Sequence, residues 1–160
     1  MSFYDRYISG ETIQVHKEIY ALGDEAFSPN YLPDIEKVLT ETFQRIAFNL
    51  DIICTELKNI NYLFKTQFNY NFDRPLVKPL PGTEALIAKL EKAVQPLGYV
   101  PLSLKMFYKI VGACNFGWDY DTNENYFWEY ADPIQICPLD DLVSEITSDY
   151  SPGELQEYYE

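Results

Sequence analysis

The chain has no positive charge after Lys109, and this absence is the most unusual property of its 160 residues. The last 51 residues contain twelve acidic residues and no lysine or arginine, so they carry a net charge of −12. The first 109 residues contain 13 acidic and 12 basic residues, a net of −1 that completes the −13 of the chain. Nucleic-acid phosphates and anionic membrane surfaces are bound through clustered lysine and arginine. We therefore expect neither nucleic acid nor a membrane as a partner.

Histidine and cysteine, which often act as nucleophiles, bases or metal ligands, are scarce. His16 is the only histidine, and Cys54, Cys114 and Cys137 lie far apart without Cys-x-x-Cys spacing. An odd number of separated cysteines is typical of reduced thiols, so we expect a cytoplasmic protein. His16 lies in a polar stretch and is expected at the surface, which leaves no convergent catalytic site. We predict a protein that is not an enzyme and that uses no cofactor and no metal.

Long hydrophobic runs are also missing. No uninterrupted apolar stretch reaches the roughly 20 residues that a membrane-spanning helix needs. The opening MSFYDRYISGETIQ lacks the basic region and apolar run of a signal peptide. Apolar residues still make up 47% and aromatic residues 16% of the chain, which suffices for a hydrophobic core. Disordered acidic tails are poor in aromatic residues, whereas this acidic third is rich in them, so we expect it to fold.

Hydrophobic periodicity predicts a helical N-terminal part. One helix is predicted over 11–22, and a long helix over 33–60 whose apolar residues are spaced alternately by four and three. These apolar residues are Leu39, Phe43, Ile46, Leu50, Ile53, Leu57 and Ile60. We favour packing of this stripe on the domain core, but the seam of a coiled-coil dimer has the same pattern.

Strand signals follow the long helix. Tyr62, Phe64, Phe68 and Tyr70 alternate like the residues on one face of a strand. Residues 71–82 contain three prolines and a glycine, so they are predicted to form a linker.

Beyond this linker, helices are mixed with short strands. Helices are predicted from a cap at Thr83 to about Val94, from Ser103 to Gly112, and from Pro138 onward. Strands are predicted at 113–118, 126–130 and 133–137. This order favours an α+β fold with a mostly antiparallel sheet flanked by helices and with an N-terminal helical hairpin. We expect residues 1–70, which end in a strand, and residues 83–160 to pack together as one domain.

Residues 118–130, WDYDTNENYFWEY, form the part of the chain that we name the acidic–aromatic segment. It contains six aromatic residues and four carboxylates within 13 residues. Aromatic side chains often anchor protein interfaces, and charges set association rate and specificity. In the alternative interpretation, the aromatic residues fill the core and the carboxylates are solvated. The partner-binding residues that we predict are Trp118, Asp119, Asp121, Glu124, Trp128 and Glu129.

The same segment contains an incomplete metal-binding pattern. Acidic and amide residues alternate over 119–125 as do the first ligands of a calcium-binding EF-hand loop. The sixth position is Glu124 where a glycine is required, and the twelfth is Tyr130 where a glutamate binds the ion. We therefore interpret 119–125 as a solvated hairpin loop.

Two motifs in the second half of the chain resemble the SUKH superfamily of yeast cell-wall-regulator-like proteins and bacterial immunity proteins. The first is VPLSLKMFYKIVG at 100–112, a Pro-Leu turn into an aromatic helix, followed by Asn115. The second is DPIQICPLDD at 132–141. The glycine pair usual in the superfamily is Gly112-Ala113 in this chain. The resemblance implies an α+β fold, a mostly antiparallel sheet and no catalysis, and many bacterial members bind and neutralise a toxin, often a nuclease.

These observations lead to two hypotheses. The first is a non-catalytic protein-binding module, and more sharply an immunity protein that neutralises a basic, nuclease-type toxin. The second is a scaffold or regulatory protein that acts through the long helix over 33–60, including self-association as a homodimer.

Overall fold

The computed structural model describes residues 1–64, 75–118 and 134–148, which form an α+β fold as predicted. In chain order the elements are α1 (Phe3–Ile8), α2 (Thr12–Ala21), a 3-10 helix (Gly23–Phe27), α3 (Leu32–Asn59), β1 (Leu76–Val77), α4 (Thr83–Val94), α5 (Leu102–Ile110), β2 (Ala113–Asn115), β3 (Gln135–Ile136) and α6 (Leu139–Ser148). Contacts divide the chain into two compact units, residues 1–45 and 46–160, with α3 contributing to both. Within the described ranges, no helix has the length and apolar character needed to cross a membrane.

The longer helices lie where the hydrophobic periodicity predicts them. Helix α1 and the N-terminal cap of α4 differ from the prediction. Helix α1 has only six residues, too few to show a helical period, and it depends on a capping box. In that box Ser2 Oγ accepts from Asp5 N at 3.1 Å, and the Asp5 carboxylate accepts from Ser2 N at 3.3 Å. Thr83 is the first residue of α4 rather than its cap. The cap is Gly82, whose φ of +81° is readily adopted by glycine.

The first unit has its core between α1, α2 and the beginning of α3. Tyr7, Val15 and Val38 form this core and are all at least 96% buried. The Arg45 guanidinium lies 5.0 Å from the centroid of the Tyr7 ring, which adds a cation–π contact.

An ion pair links α1 to α2 within the first unit. Two Arg6 nitrogens donate to the two Glu18 carboxylate oxygens at 2.5 and 2.9 Å, and Arg6 also contacts Glu11 at 2.9 Å. The hydrogen bonds from Arg6 lower the pKa of Glu18 from its ordinary 4.5 to about 2. A lowered pKa in the folded state means that this pairing stabilises the unit above pH 4.5 and is lost as the pH falls toward 2.

The buried face of α3 in the second unit differs from the predicted stripe. Leu50 and Cys54 are buried and Leu57 is half-buried, whereas Ile53 is 42% and Ile60 is 70% exposed. Positions 50, 54 and 57 follow one another at helical spacing, so they occupy a single face. The stripe predicted over 33–60 contains Ile53 and Ile60 because both are apolar at the expected spacing. In the structure, both lie outside the buried face.

The sheet of the second unit has the order β1-β2-β3, with both pairings antiparallel. Central strand β2 is entirely buried, and its Cys114 pairs with Leu76 on one side and Ile136 on the other. Strand β1 lies inside the segment predicted as a linker over 71–82. The prolines there flank the strand instead of interrupting it, as is typical of edge strands. Residues 71–74 lie outside the described ranges, and the packing of 1–70 with 83–160 as one domain stays a prediction.

Gly112 lies between α5 and β2, where the chain comes closest to the segment after β1. A Cβ at this position would lie 2.1 Å from Val77 O, 2.7 Å from Lys78 C and 2.9 Å from Pro79 N. Its φ is +98°, a conformation that other residues rarely adopt. Because all three atoms belong to the backbone, no side-chain rearrangement can make room for a methyl group.

We predict that Gly112→Ala lowers the free energy of unfolding by roughly 2–4 kcal/mol, through backbone strain and overlap with the segment after β1. Urea denaturation followed by circular dichroism measures this change. Gly98→Ala is the matched control, because a Cβ at Gly98 meets nothing within 4 Å and its φ lies outside the left-handed region. Equal denaturation midpoints for the two variants would contradict the role given to Gly112.

Candidate functional site

The predicted partner-binding residues fall mostly outside the described ranges. Trp118 is described and half-buried. The other predicted residues lie within the undescribed stretch 119–133, and they are Asp119, Asp121, Glu124, Trp128 and Glu129. The loop predicted over 119–125 and the strand predicted over 126–130 lie there too. The site is therefore built from the described residues at the two ends of this stretch.

Both ends of the stretch are attached to the same pair of strands. Asn115 of β2 pairs with Gln135 of β3, and Phe116 N donates to Ile134 O at 2.9 Å. The pairing between β2 and β3 thus continues by one residue toward the stretch. Residues 119–133 connect these two neighbouring antiparallel strands, so the described residues at the two ends of the stretch lie close together.

Four aromatic side chains lie together at the Trp118 end of the stretch. They are Tyr62, Phe64, Phe116 and Trp118, and we name them the aromatic cluster. The Tyr62 ring lies 4.7 Å from the Trp118 ring and 5.0 Å from the Phe64 ring, both edge to face. The Phe64 ring lies 6.0 Å from the Phe116 ring. Phe64 and Trp118 also form an isolated antiparallel β-bridge. Edge-to-face aromatic pairs stabilise beyond their area burial, so the cluster holds the first residue of the acidic–aromatic segment in place.

Polar contacts fix the backbone immediately before Trp118. The Tyr62 hydroxyl donates to Phe116 O at 2.7 Å. The buried Asn115 side chain accepts from Gly117 N at 2.9 Å, which closes a tight local turn. Trp118 Nε1 is shielded from solvent and meets no acceptor in the described part of the chain. Ring contacts therefore account for the position of this indole.

The aromatic alternation signalled part of this arrangement. It places Tyr62 and Phe64 on one face, and their rings do contact each other, while Phe68 and Tyr70 lie outside the described ranges. The alternation does not reveal that Tyr62 binds the carbonyl of Phe116. The only sequence signal for this hydrogen bond is that residue 62, in an aromatic pattern that phenylalanine would also fit, is a tyrosine and carries a hydroxyl.

A second tyrosine hydroxyl, that of Tyr108, binds the chain directly after β3. Tyr108 of α5 is 3% exposed, and its hydroxyl donates to Cys137 O at 3.2 Å. Burial raises the pKa of Tyr108, with a smaller contribution from Cys137, so the phenol stays protonated and keeps donating. Burial likewise raises the pKa of the Cys114 and Cys137 thiols, which disfavours their nucleophilic thiolate forms.

The described residues contain no group of three or more histidine, cysteine or acidic side chains that could hold a metal ion. The calcium-like pattern over 119–125 lies outside them. His16 is exposed on α2, and its ring lies 5.6 Å from the Tyr7 ring at 84°. It is thus the surface histidine that the polar stretch predicts.

No family model, curated protein or solved structure matches this sequence. The resemblance of residues 100–112 and 132–141 to the SUKH superfamily is therefore neither supported nor contradicted by these comparisons, and it stays a prediction.

We predict that Tyr62→Phe lowers the free energy of unfolding by about 0.5–1.5 kcal/mol, because it removes the hydrogen bond to Phe116 O while keeping the ring. Thermal or urea unfolding measures the change. Tyr99→Phe removes a hydroxyl from a side chain that is 80% exposed, and it should change stability by less than about 0.5 kcal/mol. If the two variants are equally stable, the Tyr62 hydroxyl does not fix the backbone before Trp118.

Proposed function

We propose that the chain is a non-catalytic protein-binding module, and specifically an immunity protein that neutralises a basic, nuclease-type toxin. One observation carries this proposal: the stretch that contains most of the acidic–aromatic segment begins and ends on the paired strands β2 and β3. The segment contains four carboxylates and six aromatic residues, and the chain on both sides of it belongs to the sheet of the second unit. Such an attachment lowers the entropy that the segment loses when a partner binds.

The chemistry of the segment suits a basic protein partner. Carboxylates attract the positive surface with which a nuclease binds phosphates, and they accelerate association in a salt-dependent manner. Aromatic residues supply contact area that holds the complex together once it has formed. A protein bound over the cationic surface of a nuclease blocks its access to nucleic acid, so inhibition requires no chemical step.

Non-catalytic action in a cytoplasm is part of the proposal. Cys54, Cys114 and Cys137 are free, which fits a reducing compartment. The raised thiol pKa values of Cys114 and Cys137 disfavour a cysteine nucleophile, and His16 has an aromatic ring as its described contact. These features support binding over catalysis as the activity of the chain.

We predict that neutralising the acidic–aromatic segment slows association with a basic partner by at least about tenfold at low salt, because electrostatic steering is lost. The variant carries Asp119→Asn, Asp121→Asn, Glu124→Gln and Glu129→Gln. The measurement is the association rate by stopped flow or surface plasmon resonance, and the partner is a toxin-like domain sought among the neighbouring genes. Absence of such a gene would count against the toxin proposal.

The control variant removes the same amount of charge elsewhere. It carries Asp24→Asn, Glu25→Gln, Glu36→Gln and Glu56→Gln, which change exposed side chains on other elements. The control should associate at nearly the rate of the unmodified chain. Equal slowing of association in both variants would show that the rate depends on net charge and not on the segment. An unchanged association rate in both variants would place the binding site outside the segment.

A second candidate function is self-association through α3, and one observation favours it. Phe48 and Ile52 on this helix are 65% and 45% exposed, and Ile60, directly after its last residue Asn59, is 70% exposed. Exposed apolar patches on helices often mark interfaces. Residues 46–64 carry two acidic residues and one basic residue, a net of −1, so repulsion between two copies is small there.

For this second function we predict that the unmodified chain forms a dimer. The dimer should dissociate in the variant with Phe48→Ser and Ile60→Ser, because these changes remove apolar surface whose burial stabilises it. Sedimentation velocity across a range of concentrations measures the mass. Ile13→Ser with Tyr20→Ser is the control, since these α2 side chains are 72% and 90% exposed. An unmodified chain that stays monomeric at high concentration would rule out this function, and circular dichroism verifies that each variant is folded.

A further inference from the structure

A surface groove runs between α4 and α6 in the second unit. It is open to solvent and has a volume of about 610 Å³. Leu86 and Ala93 of α4 and Val143 of α6 provide apolar lining. Lys89 and Lys92 line the α4 side, and Asp140 lines the α6 side. The groove therefore combines apolar contacts with a cationic rim, although the chain as a whole is strongly acidic.

The residues that line each side of the groove are spaced along α4 and α6 as residues on one face of a helix are. Leu86, Lys89 and Ala93 are spaced by three and four residues, and Asp140 and Val143 are spaced by three. The lining residues extend over about three turns, which corresponds to roughly 10–15 Å. An elongated open groove of this length fits one face of a short helix better than it fits a compact metabolite, which enclosed cavities bind.

Lys89 and Lys92 differ in their surroundings from Lys78, Lys105 and Lys109 of the same unit. Lys78, Lys105 and Lys109 each lie 2.7–3.0 Å from a carboxylate. Among the described residues, Lys89 and Lys92 have no carboxylate within 4.0 Å, and both are exposed. Their charges are therefore available to a ligand, and they lie on the same side of the groove.

We propose that the groove between α4 and α6 binds an acidic amphipathic helix of a protein partner. The apolar face of that helix packs on Leu86, Ala93 and Val143, and its carboxylates pair with Lys89 and Lys92. Asp140 on the opposite wall repels an acidic residue there, so it orients the acidic side of the ligand toward α4. This surface has the opposite electrostatic preference to the acidic–aromatic segment, and it does not depend on the toxin proposal.

Fluorescence anisotropy with the full chain tests this proposal. The probe is a fluorescein-labelled peptide of roughly 14 residues, with leucine at every third or fourth position and glutamate between, as helix-in-groove recognition requires. We expect saturable binding that weakens as salt is raised. The reference peptide has lysine in place of each glutamate and should bind at least about tenfold more weakly.

Matched variants locate the binding surface. Lys89→Glu with Lys92→Glu should weaken binding of the acidic probe by at least about tenfold. Lys17→Glu with Lys58→Glu changes the net charge equally at two other exposed lysines and should change binding less than about threefold. Ala93→Gln fills the groove without altering charge and keeps a good helix former, so it should also weaken binding.

The proposal is overturned if the full chain shows no saturable binding, or if the two lysine variants weaken binding equally. Equal binding of the acidic and basic peptides would overturn it as well. Circular dichroism of each variant confirms that its helices are formed.

Discussion

The close approach of Gly112 to the backbone of residues 77–79 is the constraint on which the sheet of the second unit depends. Only a residue without Cβ fits against Val77 O, and only glycine readily adopts the φ of +98° found there. This geometry lets the chain turn from α5 directly into β2 beside β1. Strand β2 then leads to Phe116 and Trp118, where the aromatic cluster forms. The position of the aromatic cluster, from which the proposed binding segment continues, therefore depends on Gly112.

The sequence predicts the elements that have a clear period and misses those whose formation depends on distant contacts. α3 and α4 follow from apolar spacing, the end of α5 follows from Gly112, and the start of α6 follows from Pro138. Strand β1 has only two residues among prolines, so its pairing with β2 gives no local signal. Cys54 is buried and Ile53 is exposed because of which face of α3 the rest of the unit covers. The spacing of apolar residues along the helix does not determine that face.

The binding role of the acidic–aromatic segment is a prediction from composition. A segment with four carboxylates among six aromatic residues predicts a binding role whatever its conformation. What composition does not reveal is how the segment is attached. The Tyr62 hydroxyl contacts a carbonyl 54 residues further along the chain, and Tyr108 contacts one 29 residues away. Contacts over such distances depend on the fold, since no local pattern connects the residues that make them.

Charge is distributed unevenly along the sequence of the second unit. Between Lys109 and the end of the chain every charged side chain is acidic, whereas α4 contributes Lys89 and Lys92 to an apolar groove. Fields of opposite sign on one unit attract different partners, and each repels the ligand of the other. In the proposed function a basic toxin binds the acidic–aromatic segment, and in the further proposal an acidic helix binds the groove between α4 and α6.

The most direct measurement of the central claim is growth of cells that express a toxin-like domain from a neighbouring gene, with and without the chain. The account predicts that growth is restored in its presence while the level of toxin is unchanged, because binding blocks the toxin without degrading it. Growth that remains arrested, with the chain folded and in molar excess over the toxin, would contradict the account.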